Sequence, residues 1–305
     1  MALKDQIALG MSLPHRSPDP IEAAVVRQVA QRAEALGFGD LWVTNNTLDH
    51  AGCFDSLTLL TYAAALTSTI RLGVSVLVLP VYSLVHVAHQ VATLDYLSGG
   101  RAVLGVGLGR EQHYPPFQVP RERRVRRFVE AVELMKALWT QPKVTYRGQI
   151  FQVEDGVMGP KPVQKPYPPV WLGGGHLAAL RRAAVIADGW MGAGGSSTAA
   201  FAKSVPLIRA ALETSGRDPA TFPISKRVFM SVHERPEVAK AEVHRWFSEV
   251  YHNPSLTTEG GVYGTLEQVR EQLEELVAMG ATHLLLNPFT RYAEQVEALA
   301  AVAGL

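Results

Sequence analysis

Apolar positions in this chain fall into short continuous runs, separated by longer segments whose apolar residues recur with the helical period, and the two kinds alternate along its length. The clearest unit is the run 72–79, then a helical pattern over 84–97, then a second run at 102–106. Both runs are too continuous for a sheet with one wet face, so both strands are expected inside a parallel sheet. Ser75, Val76, Gly107 and Gly109 lie toward the carboxyl ends of these strands, where parallel α/β proteins place their ligands.

The alternation extends in both directions. A strand is predicted at 7–11, followed by a helix to residue 36 with Asp19 as N-cap, Pro20 in the first turn and Gly37 as C-cap. Residues 41–44 and 56–67 make the second strand and helix, and the fourth helix runs from about 122 to 139. The pattern then breaks. β-branched and aromatic residues on either side of Arg147 and Gly148 signal a hairpin over 144–153, and Pro160, Pro162, Pro166, Pro168 and Pro169 make an extended segment after it. Strands return at 169–172, 189–191, 225–232 and 282–287, with helices at 177–186, 199–214, 237–250, 266–279 and 292–302. Eight such pairs predict a closed (β/α)8 TIM barrel with a hairpin insertion between strands four and five, rather than an open doubly wound sheet. One domain, 1–305, is the economical division.

Composition narrows the function classes. The chain has 305 residues, 47% of them hydrophobic and 19% charged, with a formal net charge of +1, so nothing points to a nucleic-acid or membrane surface. The single cysteine, Cys53, allows no internal disulfide and suits a reducing compartment. No stretch approaches a membrane span or a secretory signal, and a cytoplasmic enzyme is expected.

Two glycine-rich loops carry candidate chemistry. Gly173, Gly174, Gly175 and His176 join the fifth strand to its helix, and Gly192, Gly194, Gly195 and Ser196 follow the sixth. Backbone N–H groups in such loops suit an anion, and two adjacent loops could embrace one phosphate; tight βα turns alone would also account for the glycines. Neither matches a Walker sequence, and Gly105, Gly107 and Gly109 lack dinucleotide spacing. His113, with Tyr114, follows strand four and is a candidate proton donor, as is His50 after strand two. His86 and His89, three apart on a helix, suggest no third metal ligand, so packing, capping or subunit contact is expected and no metal. The other histidines considered, His233, His244, His252 and His283, show no arrangement. Cys53 is expected to pack rather than react. The arginine-rich stretch 121–127 should cap and solvate the fourth helix, with one or two members able to reach an anionic ligand.

Several separated motifs then converge. Val74-Ser-Val-Leu-Val-Leu-Pro80, Gln90-Val-Ala-Thr-Leu-Asp-Tyr-Leu-Ser-Gly-Gly-Arg101, Leu104-Gly-Val-Gly-Leu-Gly109, Pro160-Lys-Pro-Val-Gln-Lys-Pro166 and Ala179-Leu-Arg-Arg-Ala-Ala-Val-Ile-Ala-Asp-Gly-Trp190 occur in order, with Tyr263-Gly-Thr-Leu-Glu-Gln-Val near the end. Together they resemble the bacterial luciferase-like flavin-dependent oxidoreductase family, and the stretch 179–190 is most similar to its branch that uses the deazaflavin coenzyme F420. The resemblance implies a flavin-type ring in the barrel mouth, backed by a bulge at a non-proline cis peptide whose counterpart here is Ser75-Val76. It further implies that Leu108, Gly109 and Arg110 line the ring, that Asn45 meets its polar edge, and that Gly174, Gly175, His176 and the loop carrying Gly192, Gly194, Gly195 and Ser196 hold the phosphate end. Arg110 would also meet an acidic tail.

One departure matters. Deazaflavin-dependent alcohol and sugar-phosphate dehydrogenases of this family carry Asp-His at the end of strand two and Glu after strand four; here stand Asn45, Asn46 and Arg110. An amide cannot accept a proton as imidazole does. An alcohol oxidation relying on that histidine is therefore disfavoured, and His50 or His113 would have to substitute for it from a loop. Hydride transfer between bound F420 and a small organic substrate is expected, with Asn46 orienting substrate or cofactor and His113 donating a proton. The alternatives are an FMN-dependent monooxygenase using O2 and a non-catalytic flavin-binding protein. A homodimer through the helix at 85–94 is expected.

Overall fold

The computed structural model describes residues 2–305, apart from the side chain of His113. Eight parallel strands form the centre: β1 (Ala8–Ser12), β2 (Asp40–Val43), β3 (Arg71–Val78), β4 (Ala102–Gly107), β5 (Val170–Gly173), β6 (Gly189–Gly192), β7 (Ile224–Val232) and β8 (His283–Asn287). Each pairs with the next in the chain, β8 returns to β1, and the ring closes. At the β6–β7 seam, Trp190 stands opposite Ile224. The expected TIM barrel is present.

Among the described residues ten α-helices accompany the strands: α1 (Ala23–Leu36), α2 (Ser56–Leu66), α3 (Leu84–Leu97), α4 (Arg124–Thr140), α5 (Leu177–Ile186), α6 (Thr198–Thr214), α7 (Pro236–Glu249), α8 (Leu256–Glu259), α9 (Leu266–Ala278) and α10 (Tyr292–Ala303). Their apolar stripes pack on the outer faces of the strands and make the main core. Among the described residues no helix is long and apolar enough to cross a membrane. The expected insertion lies between α4 and β5, where Val144–Arg147 pairs antiparallel with Gln152–Gly156. The turn residues Gln149, Ile150 and Phe151 donate their backbone N–H groups to the Glu130 carboxylate on α4.

The start of the first helix differs from expectation. Glu22, not Asp19, is the N-cap of α1, and no side chain caps it. Asp19 instead pairs with Arg245 of α7 at 3.2 Å, while its N–H turns onto Ser17 Oγ. A carboxylate committed to a guanidinium on another helix is not available to cap its own. Gly37 does end the helix in the left-handed region, at φ 95°.

The amino-terminal end of the barrel is filled. Trp42, Val103, Trp171, Met191 and Leu285 pack inside the ring of strands, and Trp42 and Trp171 stand 5.3 Å apart. Beside them His283 Nε2 lies 3.0 Å from Asp40 Oδ1, and its Nδ1 lies 2.6 Å from Ser225 Oγ. Burial pushes the Asp40 pKa up, but His283, Arg71 and the Trp42 N–H outweigh it and hold the carboxyl below its usual range. Ser, His and Asp thus stand in line without an opening to solvent, each at most 2% exposed, so they brace the barrel.

Candidate functional site

A cavity of about 960 Å³ opens at the carboxyl ends of the strands. Its back wall is Val76. The Ser75-Val76 peptide is cis, and the pairing of β3 with β4 shifts register between Val74 and Leu77. Glycines make room for the displaced side chain: a Cβ on Gly107 would stand 2.7 Å from Val76 Cγ2, and one on Gly173 would stand 3.1 Å from Val76 Cγ1. The result is a smooth apolar wall across the inside of the mouth. Ser75 contributes its carbonyl oxygen, which accepts from Arg227 Nη1 at 2.8 Å.

Leu108, Gly109 and Arg110 line one edge of the cavity. Gly109 has φ 68°, and the Leu108 carbonyl accepts a 2.5 Å hydrogen bond from the Tyr114 hydroxyl, which fixes this turn. Asn45 and Asn46 also line it, with different freedom. Asn45 is buried: its Oδ1 accepts from the Val78 N–H at 3.1 Å and its Nδ2 donates to the Tyr82 hydroxyl at 2.7 Å, tying the end of β2 to the end of β3. Asn46 donates Nδ2 to Thr44 Oγ1 at 3.3 Å, and its Oδ1 has no hydrogen-bond partner among the described residues.

The glycine-rich loops enter the cavity only in part. Gly174 lines it together with Ala179 and Arg182 of α5, whereas Gly175 and His176 do not. His176 is the N-cap of α5, its Nδ1 accepting from the Ala178 N–H at 3.3 Å. Of the loop after β6, Ala193 lines the cavity; Gly192, Gly194, Gly195 and Ser196 stand outside its lining. Lys226 closes that loop on itself, its Nζ donating to Ala193 O at 2.6 Å and to Ser196 O and Oγ at 2.9 Å.

Of the histidines, His50 and His252 reach the rim, their rings 6.2 Å apart. The side chain of His113 lies outside the described residues. His86 and His89 border a separate recess of about 260 Å³, where His89 Nε2 bonds the Gly159 carbonyl at 3.0 Å. Burial pushes the Cys53 thiol up to about 11, an unreactive value. No cluster of three or more potential metal ligands occurs among the described residues.

Sequence reasoning missed four participants. His15 sits behind Thr44, buried, and burial together with the charges of Arg227 and Arg16 brings its pKa down to about 4 against a raising hydrogen bond to Leu13. Arg16, Arg227 and Tyr251 line the cavity on the side of β1 and β7. Arg16 is placed there because Arg16–Ser17 pairs antiparallel with Gly52–Cys53, which also brings Asp49 beside it. One signal was present for Arg227: Lys226 and Arg227 are adjacent charges inside a run otherwise suited to a buried strand. His15 had no spacing partner to mark it.

The mouth thus offers an apolar wall, polar edges and an excess of cations: among the described residues its lining holds Arg16, Arg110, Arg182 and Arg227 and one carboxylate, Asp49. That donor set suits an organic ligand carrying anionic groups.

Comparisons with known proteins agree with this picture. The family model described as luciferase-like monooxygenase matches residues 7–259. The F420-dependent glucose-6-phosphate dehydrogenase of Kineococcus radiotolerans is 29% identical over 228 residues, covering 71% of this chain and 66% of the dehydrogenase. The chain therefore spans just under two thirds of that relative. An FMNH2-dependent dimethylsulfone monooxygenase of Pseudomonas putida is 27% identical over 272 residues, 77% of this chain and 74% of that protein. Among solved structures, an F420-dependent secondary alcohol dehydrogenase in complex with an F420-acetone adduct superposes with a TM-score of 0.85 at 19% identity, covering 97% and 98% of the two chains, a likeness of fold. With 253 consecutive residues matched by the family model and the barrel mouth built as described, the chain belongs to the luciferase-like monooxygenase family.

Proposed function

We propose that the chain binds the deazaflavin coenzyme F420 in the barrel mouth and transfers hydride to or from a small organic substrate. The observation that carries this reading is the Val76 wall with its Gly107 and Gly173 cradle, facing the Leu108, Gly109 and Arg110 edge. These residues fit a planar ring, and Gly174, Ala179 and Arg182 fit the phosphate end, with Ala193 beside them. Arg110, exposed at the rim, is placed for an acidic tail. The similarity of 179–190 to the F420 branch and the dehydrogenase relative support the choice of coenzyme.

When bound, the coenzyme would supply a two-electron hydride acceptor or donor. The chain's own part is to hold ring and substrate at reacting distance, exclude water with Val76 and Leu108, and present Asn46, oriented by Thr44, to substrate oxygen. His113 stays the proposed proton donor from the loop after β4.

The monooxygenase relative supports a second reading, with FMN in the same seat and the apolar wall shielding an oxygen adduct from water. Titration with F420 and with FMN, followed by absorbance and thermal stability, separates the two. Tighter binding of F420 is expected, and saturable FMN binding with none of the deazaflavin would assign the monooxygenase. Binding of either without turnover across a broad alcohol and carbonyl panel would leave a carrier. A homodimer is also proposed, through the α3 face that exposes Val85, Tyr96 and Leu97; sedimentation at micromolar concentration tests it.

A further inference from the structure

We propose that Arg16 and Arg227 form a subsite for a single anionic group, a carboxylate, carried by the substrate. Both arginines line the cavity and both are more than nine-tenths buried, at 9% and 8% exposure. They meet at Tyr251. The Arg16 guanidinium lies 5.4 Å from the Tyr251 ring centre, and Arg227 Nη2 donates to the Tyr251 hydroxyl at 3.1 Å.

Two guanidinium groups in so enclosed a place need compensation. Asp49 supplies one negative charge, through its contact with Arg16, and is the only carboxylate among the described residues lining the cavity. Arg227 has neutral acceptors alone, the Ser75 carbonyl and the Tyr251 hydroxyl. Both side chains keep an Nε–H without a partner among the described residues. Burial, and Arg16 nearby, lower the Arg227 pKa against the influence of Tyr251, but a guanidinium keeps its proton at neutral pH. One positive charge is left unmatched, and a monoanion matches it.

The position favours the substrate as its source. Arg16 and Arg227 come from the β1 and β7 side of the mouth, whereas Gly174, Ala179 and Arg182, which fit the coenzyme's phosphate, come from β5 and α5. Tyr251 and the Trp246 ring, 5.8 Å from the Arg16 guanidinium, give the subsite apolar surroundings suited to a carboxylate on an organic body. The assignment to substrate rests on the proposed coenzyme seat; an anionic edge of the reduced ring is the other possible source of the same chemistry.

Benzoate is a suitable probe, with benzamide as its neutral counterpart. Calorimetric titration of the coenzyme-free protein is expected to show saturable benzoate binding, much weaker benzamide binding, and at least about tenfold loss of benzoate affinity in Arg227→Gln and in Arg16→Gln. Benzoate should still bind once F420 is loaded. A wild-type readout covers the case in which a variant does not fold: the imidazole of His15, held near pKa 4 in part by these two arginines, should titrate at higher pH with benzoate bound, as followed by NMR. Equal binding of benzoate and benzamide, or affinity unchanged in both variants, overturns the subsite. Displacement of benzoate by F420 gives the anion site to the coenzyme and overturns its assignment to substrate. Arginine-dependent benzoate binding by a protein that takes no F420 supports the subsite while removing the proposed coenzyme.

Discussion

His15 Nε2 lies 2.7 Å from Thr44 Oγ1, and this contact sets the polar hydrogens beneath the cavity. The other ring nitrogen, Nδ1, faces the Leu13 carbonyl at 2.6 Å and must carry the proton there, since a carbonyl only accepts. Nε2 is then an acceptor, Thr44 donates to it, and the Thr44 oxygen accepts from Asn46 Nδ2. Asn46 is thereby turned with its carbonyl oxygen free.

The neutral imidazole has a consequence for stability. Burial first, then the two arginines, bring the His15 pKa from 6.5 to about 4, so between these values the unfolded chain binds the proton that the folded one refuses. Stability from this residue is full above pH 6.5 and falls as the pH drops toward 4, by about 3 kcal/mol in all. Urea unfolding of wild type and His15→Phe across that range should show the slope in the first and its loss in the second.

Thr44→Val removes the link between His15 and Asn46 with almost no change in volume. Under the proposed reaction, kcat for hydride transfer should fall by about tenfold while F420 affinity stays within about twofold. A rise in Kd with kcat unchanged would place Thr44 in coenzyme binding instead.

Gly107→Ala sets a methyl against Val76 Cγ2, the end of a side chain, whereas Gly105→Ala sets one on the Val74 carbonyl oxygen, which belongs to the backbone. Gly107→Ala should therefore fold, with a loss of about 1–3 kcal/mol, and bind flavin coenzymes poorly because the wall is displaced. Gly105→Ala should be the less stable of the two. Thermal melts with and without coenzyme compare them.

Arg101, buried at the start of β4, donates to Ser98 O, Thr67 Oγ1, Ile70 O, Ala64 O and Thr67 O, all at 2.8–3.0 Å. Lysine cannot present that planar fork. Arg101→Lys should cost about 2–4 kcal/mol in urea unfolding, although the residue is remote from the mouth and the coenzyme affinity of the folded fraction should not change.

Lys226 is held by three oxygens, and burial, with Arg227 beside it, brings its pKa from 10.5 to about 7. Because the folded value lies below the unfolded one, this side chain makes the protein more stable as pH rises from 7 toward 10.5. Lys226→Met should lose that rise, seen in urea midpoints at neutral and alkaline pH. It should also loosen the Ala193–Ser196 loop and weaken coenzyme binding.

The barrel was legible in the sequence because buried parallel strands and amphipathic helices impose different periods, and α3 and α5 begin and end where those periods change. The first turn of α1 was misread because Asp19 answers to Arg245, more than two hundred positions away, and local capping rules know nothing of such a partner. Ser75, Val76 and Leu108–Arg110, which line the cavity, were picked out through family resemblance, which spacing alone would not supply. Of the two glycine loops, Gly174 and Ala193 reach the lining, while Lys226 holds the rest of the second loop and His176 caps α5, ties that glycine spacing does not announce. The inner polar line of His15 and Thr44 stayed hidden, since the two residues stand 29 positions apart and meet only once β1 and β2 pair side by side.

The packed amino-terminal end, with Trp42, Trp171 and His283 inside the strands, has a bearing on how such a protein can diverge. These side chains pack against one another inside the strands, apart from the loops at the opposite end. Changes at Asn46 or Arg110, in the cavity lining at the opposite end, would then leave this packed end in place, so one scaffold can accommodate different loops.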